Sequence, residues 1–206
     1  MKLNSIKYFY PEKPVLILKE SEAFMQFSND PKYIAEFKYN GSRCEVHIFN
    51  GEVEFWDRHG KHLKWNSDPL HQEARKKVKK ILIDAFGSEG YFVLDGELRH
   101  NKVMGIQNKL IIYDIHVYHN EVLNRLTFQE RRSILTHKLV FNGNPVSLID
   151  QYYTDFDVLF ESIKDSDELE GIVIKKLNGK LNLGRISGVD SSWMFKARKK
   201  SGRYRY

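Results

Sequence analysis

A single cysteine, Cys44, excludes an intrachain disulfide and any zinc site built from thiolates. Such a chain suits a reducing compartment, and Cys44, directly after Arg43 in a predicted strand, reads as a small core side chain. Proline is sparse as well, at 5 in 206 residues. No Pro/Gly/Ser-rich stretch, repeat or low-complexity tract divides the sequence, so residues 1–206 read as one globular domain. No apolar run approaches the ~20 residues that a membrane helix needs, and Pro11 and Pro14 split the short apolar runs of the opening segment, which therefore lacks the pattern of a signal peptide. The expectation is a soluble, intracellular and cytoplasmic monomer with no membrane partner. Negative charge is also in deficit: 27 Asp and Glu against 33 Lys and Arg leave +6, a balance that favours a polyanionic partner. The 8 histidines have no Cys or His-x-x-His company and read as surface or core residues.

What is present is a series of short strands. Tyr33 to Lys38 and Cys44 to Trp56 are extended, the latter folded at Asn50-Gly51 into a two-residue hairpin. Asn178-Gly179 predicts a second hairpin joining Gly171–Leu177 to Lys180–Arg185. Tyr91–Leu98, Leu110–Val117 and Val146–Ile149 are apolar and β-branched enough to be further strands. Three helices interrupt them. The first, Pro69 to Phe86, has Asp68 as N-cap, Gly87 beyond its end and an apolar stripe of Leu70, Ala74, Val78, Ile81, Leu82 and Ala85. Its Arg75, Lys76, Lys77, Lys79 and Lys80 read as a solvated face. The others begin at Thr127, with Glu130 three residues on, and at Thr154, with Asp157 three residues on, in the pattern of capping boxes. Hairpins with inserted helices argue for an α+β domain with largely antiparallel sheets flanked by helices.

Four segments carry charge where hydrophobic patterning would not place it. Lys38-Tyr39-Asn40-Gly41-Ser42-Arg43 sets a lysine, a candidate nucleophile, at a tight turn. Leu94-Asp95-Gly96-Glu97-Leu98, Glu170-Gly171-Ile172-Val173-Ile174-Lys175 and Trp193-Met194-Phe195-Lys196-Ala197-Arg198 each end or interrupt a strand with charged residues. Alone, each has an ordinary structural explanation as a turn, a strand entrance or a solvated strand end.

In this order they resemble the motifs shared by ATP-dependent DNA ligases, RNA ligases and mRNA capping enzymes. The first resembles Lys-x-Asp-Gly-x-Arg, Asp95-Gly96-Glu97-Leu98 the third motif, Glu170 to Lys175 the fourth, and Lys196-Ala197-Arg198 the fifth. Tyr113-Asp114-Ile115 is similar to the aromatic motif between the third and fourth. The forms of the third and fourth motifs, together with Asp57-Arg58-His59-Gly60 and Trp193, look most like DNA ligases. The resemblance spans about Pro14 to Arg198 and implies an ATP-grasp-like nucleotidyltransferase (adenylation) domain.

It further implies a chemistry. Lys38 would attack the α-phosphorus of ATP, and AMP would pass to the 5′-phosphate of nicked duplex DNA before a 3′-hydroxyl seals the strand. Attack needs a neutral amine, which Arg43, Lys196 and Arg198 would favour by cation repulsion; Lys196 and Arg198 would also clamp the phosphate. Glu170, with Glu97, would recruit Mg²⁺, a hard ion that takes carboxylate, water and phosphate oxygens. Glu97 would contact the ribose, Arg43 and Arg58 the ribose and phosphate. Tyr113 would stack on the adenine, Ile172 would cover its other side and the backbone of Glu36 would read its edge.

Asn40 stands where DNA ligases have Asp, which removes a negative charge beside the nucleophile; the turn tolerates either residue. The chain ends in the basic run Lys199 to Tyr206 without the OB-fold domain that follows in DNA ligases, so a missing OB-fold domain or a partner protein is expected to complete it. The alternatives are an RNA ligase, a GTP-using capping enzyme, or a non-catalytic nucleic-acid-binding domain of the same fold.

Overall fold

A computed structural model describes residues 8–17, 21–100, 108–140, 145–183 and 188–199, with the side chains of 21–23 left aside. The run from Lys200 to Tyr206 lies outside them, as does Arg185.

Two sheets form the framework. In the first, β1 (Lys13–Leu16), β10 (Asp190–Arg198), β9 (Leu169–Lys176) and β2 (Tyr33–Tyr39) lie in that order. The second runs β4 (Glu52–Trp56), β3 (Ser42–Phe49), β5 (Tyr91–Arg99), β6 (Lys109–Tyr118), β7 (Glu121–Val122), with β8 (Val146–Leu148) parallel to β6. Apart from β1 on β10 and β8 on β6, the pairings are antiparallel. Helices α1 (Ser21–Ser28), α2 (Gln72–Phe86), α3 (Phe128–Lys138) and α4 (Phe156–Glu161) flank the sheets, as expected for an α+β domain.

Strand alternation gives each sheet two distinct faces. On the first sheet Ala35, Ile172, Ile174 and Ala197 join Phe24 of α1 and Phe156 and Phe160 of α4 in one core. On the second, Cys44, Val46, Ile48, Leu94 and Leu98 pack with Val78, Leu82 and Phe86 of α2 in the other. Cys44 is fully buried, which pushes its thiol up and leaves it the core residue expected. The remaining faces carry the charged residues described below.

Local chemistry explains the elements that were legible. Asn50 and Gly51 both take positive φ, 49° and 75°, the two-residue hairpin conformation. Thr127 and Glu130 form a reciprocal capping box. Asp68 caps a 3₁₀ turn, Pro69–His71, and the α-helix proper starts at Gln72, so Leu70 is exposed rather than part of the apolar stripe. Lys76 pairs with Glu73 and Lys80 with Asp84 on the solvated face.

Two expectations are corrected. Helix α4 starts at Phe156 behind a left-handed Asp155, without a side-chain cap, and the Thr154 hydroxyl bonds the Asp155 carboxylate instead. Among the described residues the second hairpin does not form, because β9 already has β2 on one edge and β10 on the other. The Asn178-Gly179 turn is used differently: the Gly179 carbonyl accepts from Phe128 N at 2.7 Å and Arg131 Nη1 at 3.3 Å, anchoring the start of α3. A Cβ on Gly179 would overlap the Trp193 indole, so the glycine here is a packing requirement. Gly179→Ala is therefore expected to lower stability by about 2 kcal/mol through overpacking, measured by urea unfolding; an unchanged midpoint would contradict the fit.

Candidate active site

The charged face of the first sheet brings together residues far apart in sequence. Glu36 is in register with Val173, Lys38 and Arg198 with Gly171, and Lys196 with Val173, so these side chains share one face. A bulge after Lys38 shifts the register and lets Glu170, at the strand entrance, turn onto this same face. There the Lys38 amine donates to Glu170 Oε2, and Arg198 Nη2 reaches the same oxygen at 3.2 Å. Lys196 completes the cluster: burial, then the charges of Arg198 and Lys38, lower its pKa. Gly171 is held by close packing, since a Cβ would overlap the Ala197 carbonyl.

One layer deeper, Lys175 Nζ donates to Glu36 Oε2 at 2.6 Å, and Gln151 Nε2 to Glu36 Oε1 at 3.1 Å. Lys175 also lies 5.2 Å from the ring centre of Tyr113 and 4.6 Å from that of Phe128, which ties β9 to the second sheet by cation–π contact. Tyr113 is half-buried on β6, and burial raises its phenol, keeping it a neutral ring.

The second sheet contributes the facing groups. Arg43 is gripped by Asp95, Nε to Oδ1 at 3.0 Å and Nη2 to Oδ2 at 2.5 Å, while Nη1 donates to the Glu12 carbonyl at 3.2 Å. Glu97 is the register partner of Arg43 and packs on Gly41, whose hypothetical Cβ would lie 3.0 Å from Glu97 Oε1. Asn40 Nδ2 sits 3.4 Å from the Asp167 carbonyl, a long and exposed contact of little worth.

Of the residues singled out from sequence, Lys38, Glu170 and Arg198 meet directly, Lys196 lies beside them on the same face, and Arg43, Glu97 and Tyr113 stand on the sheet that faces them. Three placements differ from expectation. Ile172 is fully buried in the core under α1 and α4, on the opposite face; alternation puts Val173 on the Lys38 face instead. The backbone of Glu36 faces β9, because the neighbouring Ala35 spends its N–H and C=O on Tyr152 at the other edge. The side chain of Glu36, not its backbone, is what enters the site. Arg58 lies in the exposed turn after β4, 3.2 Å from His59, with no contact among the described residues that links it to Lys38.

Sequence reasoning missed a buried polar chain behind Arg43. Glu45, His47, Asp95 and His116 are each at most 2% exposed. The only signal was Glu45-x-His47, polar residues two apart inside an apolar strand, which places both on one face.

No family model matches this chain. It is similar to the DNA ligase of vaccinia virus, 26% identical over 205 residues, covering 88% of this chain and 36% of the viral protein. It is also 28% identical over 215 residues to the DNA ligase of Methanococcus vannielii, covering 84% of this chain and 36% of that protein. The chain thus spans little more than a third of the length of these relatives. In structure it is similar to the ligase domain of LigD from M. tuberculosis, with a TM-score of 0.65 at 16% identity over 96% of this chain and 61% of that one. The ATP-dependent DNA ligase of bacteriophage T7, solved with ATP, gives a TM-score of 0.58 at 16% identity over 92% of this chain and 68% of that one. The chain shares the fold of these ligase structures.

The buried pair under the site has a measurable consequence. Lys175→Met leaves the Glu36 carboxylate without its ammonium and should cost about 3 kcal/mol in urea unfolding, whereas adding Glu36→Gln should recover part of that loss. Equal stability of the single variant and the wild type would show that the pair carries no structural weight.

Proposed function

We propose that this chain is the catalytic nucleotidyltransferase domain of an ATP-dependent DNA ligase. The observation that supports this most is the convergence of Lys38, Glu170, Lys196 and Arg198 from three adjacent strands onto one face. A structural ion pair would need one cation for Glu170; a clustered set of cations beside a lysine suits an anionic substrate.

In the reading we favour, Lys38 Nζ attacks the α-phosphorus of ATP. An N–P bond forms, the bond to the bridging oxygen breaks, pyrophosphate leaves and the amine's proton passes to water. Lys38 has to part from Glu170 to attack, since the contact occupies its amine. Lys196 and Arg198 then neutralise the non-bridging oxygens as charge develops on them. The lysine-bound AMP passes to a 5′-phosphate, and a 3′-hydroxyl displaces AMP to join the strand. Tyr113, with its neutral ring, offers a stacking surface for adenine, and Val173 replaces Ile172 as the apolar residue on the facing side. Arg43 and Glu97 flank the ribose and phosphate.

Glu170 and Glu97 also fit Mg²⁺. Among the described residues no group of three or more His, Cys, Asp or Glu is arranged for a metal, but this ion commonly takes only one or two carboxylates alongside water and substrate phosphate. Bound there, it would supply charge neutralisation at the phosphates. No helix among the described residues is long and apolar enough to cross a membrane, and the +6 charge suits a DNA partner. A cytoplasmic location and a monomeric state accord with this reading, in which further segments of a longer protein or a partner would help grip DNA.

Incubation with α-labelled ATP and Mg²⁺ should label the protein, and Lys38→Ala should abolish the label; a labelled Lys38→Ala variant would refute the assignment of the nucleophile. Sealing of nicked DNA supports the ligase reading, whereas labelling by GTP or sealing of RNA alone would redirect it. Salt-dependent DNA binding without label would leave a binding domain only.

A further inference from the structure

The chain of buried groups behind Arg43 runs across three neighbouring strands of the second sheet, β3, β5 and β6, without touching Lys38. The Tyr91 hydroxyl meets His47 Nδ1 at 2.8 Å, and His47 Nε2 meets Glu45 Oε1 at 2.9 Å. The second oxygen of Glu45 faces His116 Nδ1 at 3.7 Å, and His116 Nε2 faces Asp95 Oδ2 at 3.7 Å, the oxygen that also takes Arg43 Nη2. His116 therefore stands between two carboxylates, and Asp95 between two cations. The side chains of Glu45, Asp95 and His116 are at most 3% exposed, so water does little to screen them, while Arg43, at 21%, opens toward the cleft.

We propose that His116 is a positioning residue for nucleotide binding, which acts through Asp95 to set the net charge behind Arg43 and the aim of its guanidinium. This rests on the reading of the cleft as a nucleotide site. With His116 protonated, two anions, Glu45 and Asp95, are balanced by two cations, His116 and Arg43, Asp114 is balanced by its own partner Arg131, and the site is neutral behind an incoming polyphosphate. With His116 neutral, the same buried set carries one net negative charge and Asp95 draws on Arg43 alone. An anionic ligand is then repelled, and the Arg43 guanidinium is held more firmly away from it.

The charged form has support. Burial alone would lower the imidazole, but the facing Glu45 carboxylate at 3.7 Å and the charges of Asp95 and Asp114 prevail and raise it above its ordinary range. Burial would likewise raise Glu45, and the nearby His116 together with the hydrogen bond from His47 overcome this and lower it. These are the groups that face His116: Glu45 from β3, Asp95 from β5 and Asp114 from β6 itself. Tyr8, from the segment before β1, lies against the same carboxylates, and they add to the burial that raises its phenol, so it brings no charge of its own. The sign follows. A raised imidazole contributes its effect below its folded pKa and loses it as pH rises through that value.

The test is equilibrium binding of ATP with Mg²⁺ to the 206-residue chain across pH. His116→Gln should bind about five- to tenfold more weakly than wild type at neutral pH, with the gap closing as pH rises. That ratio cancels the protonation of ATP itself, which affects both proteins alike. Glu45→Gln/His116→Gln, which removes one charge of each sign, should return to within about twofold of wild type at neutral pH. A merely structural role for His116 predicts the reverse, with the double variant weaker than the single. The double variant also carries the test if the single variant fails to fold, since it should then bind like wild type at neutral pH and lose less affinity on alkalinisation. A pH-independent gap, or a double variant no better than the single, would overturn the proposal while the nucleotide reading stands. Absence of ATP binding by the wild-type protein would overturn both.

Discussion

Glu170 meets Lys38 because β9 is paired on both edges, to β2 through one ladder and to β10 through the other. That double pairing fixes which residues of three strands lie side by side, and the bulge after Lys38 brings the Glu170 carboxylate onto their face. Without the bulge, strict alternation would put Glu170 with Ile172, on the face covered by α1 and α4. One irregularity in one ladder thus decides whether the lysine has a carboxylate beside it. The absence of a hairpin after Asn178-Gly179 is part of the same constraint, since a strand there would need an edge that β10 already occupies.

Around this centre the site is built from alternating charges. Glu170 lies between Lys38 and Arg198, Glu36 is held by Lys175, and Asp95 lies between Arg43 and His116. Where both partners are buried, as in Glu36–Lys175, a pair adds little net stability, because desolvation offsets attraction, but losing one partner is costly. Their effect is to fix geometry: each carboxylate has one arrangement that satisfies its neighbours. Asp114 shows the balance, since burial would raise it, yet the charge and hydrogen bonds of Arg131 leave it lowered. Arg131 in turn stacks near Phe128 and Trp193, linking α3 to β10. The rings and charges that carry the cleft are therefore also what join the two sheets.

Much of this was legible in the sequence where local chemistry decides. The Asn50-Gly51 turn, the Thr127 capping box and the alternating strands follow from neighbours along the chain. The lysine, the two acidic segments and the Lys196-x-Arg198 end stood out because hydrophobic patterning would not place charge there. The failures have a common cause: which face a strand residue occupies depends on register and bulges set by distant partners. Ile172 and Val173 are equally apolar in sequence, and only the pairing of β9 separates them. The backbone of Glu36 was misassigned for the same reason, since its direction is fixed by Tyr152, which lies far along the chain. Glu45, His47 and His116 come from two strands that neither the spacing of the histidines nor their number could bring together.

The central claim is that Lys38, and no other cation of this cluster, is the covalent nucleophile. Peptide mapping by mass spectrometry after incubation with ATP and Mg²⁺ tests it most directly. The account predicts one AMP on the peptide that contains Lys38 and unmodified peptides for Lys175 and Lys196. An adduct on either of those lysines, or no adduct at all from protein that binds ATP, would contradict it.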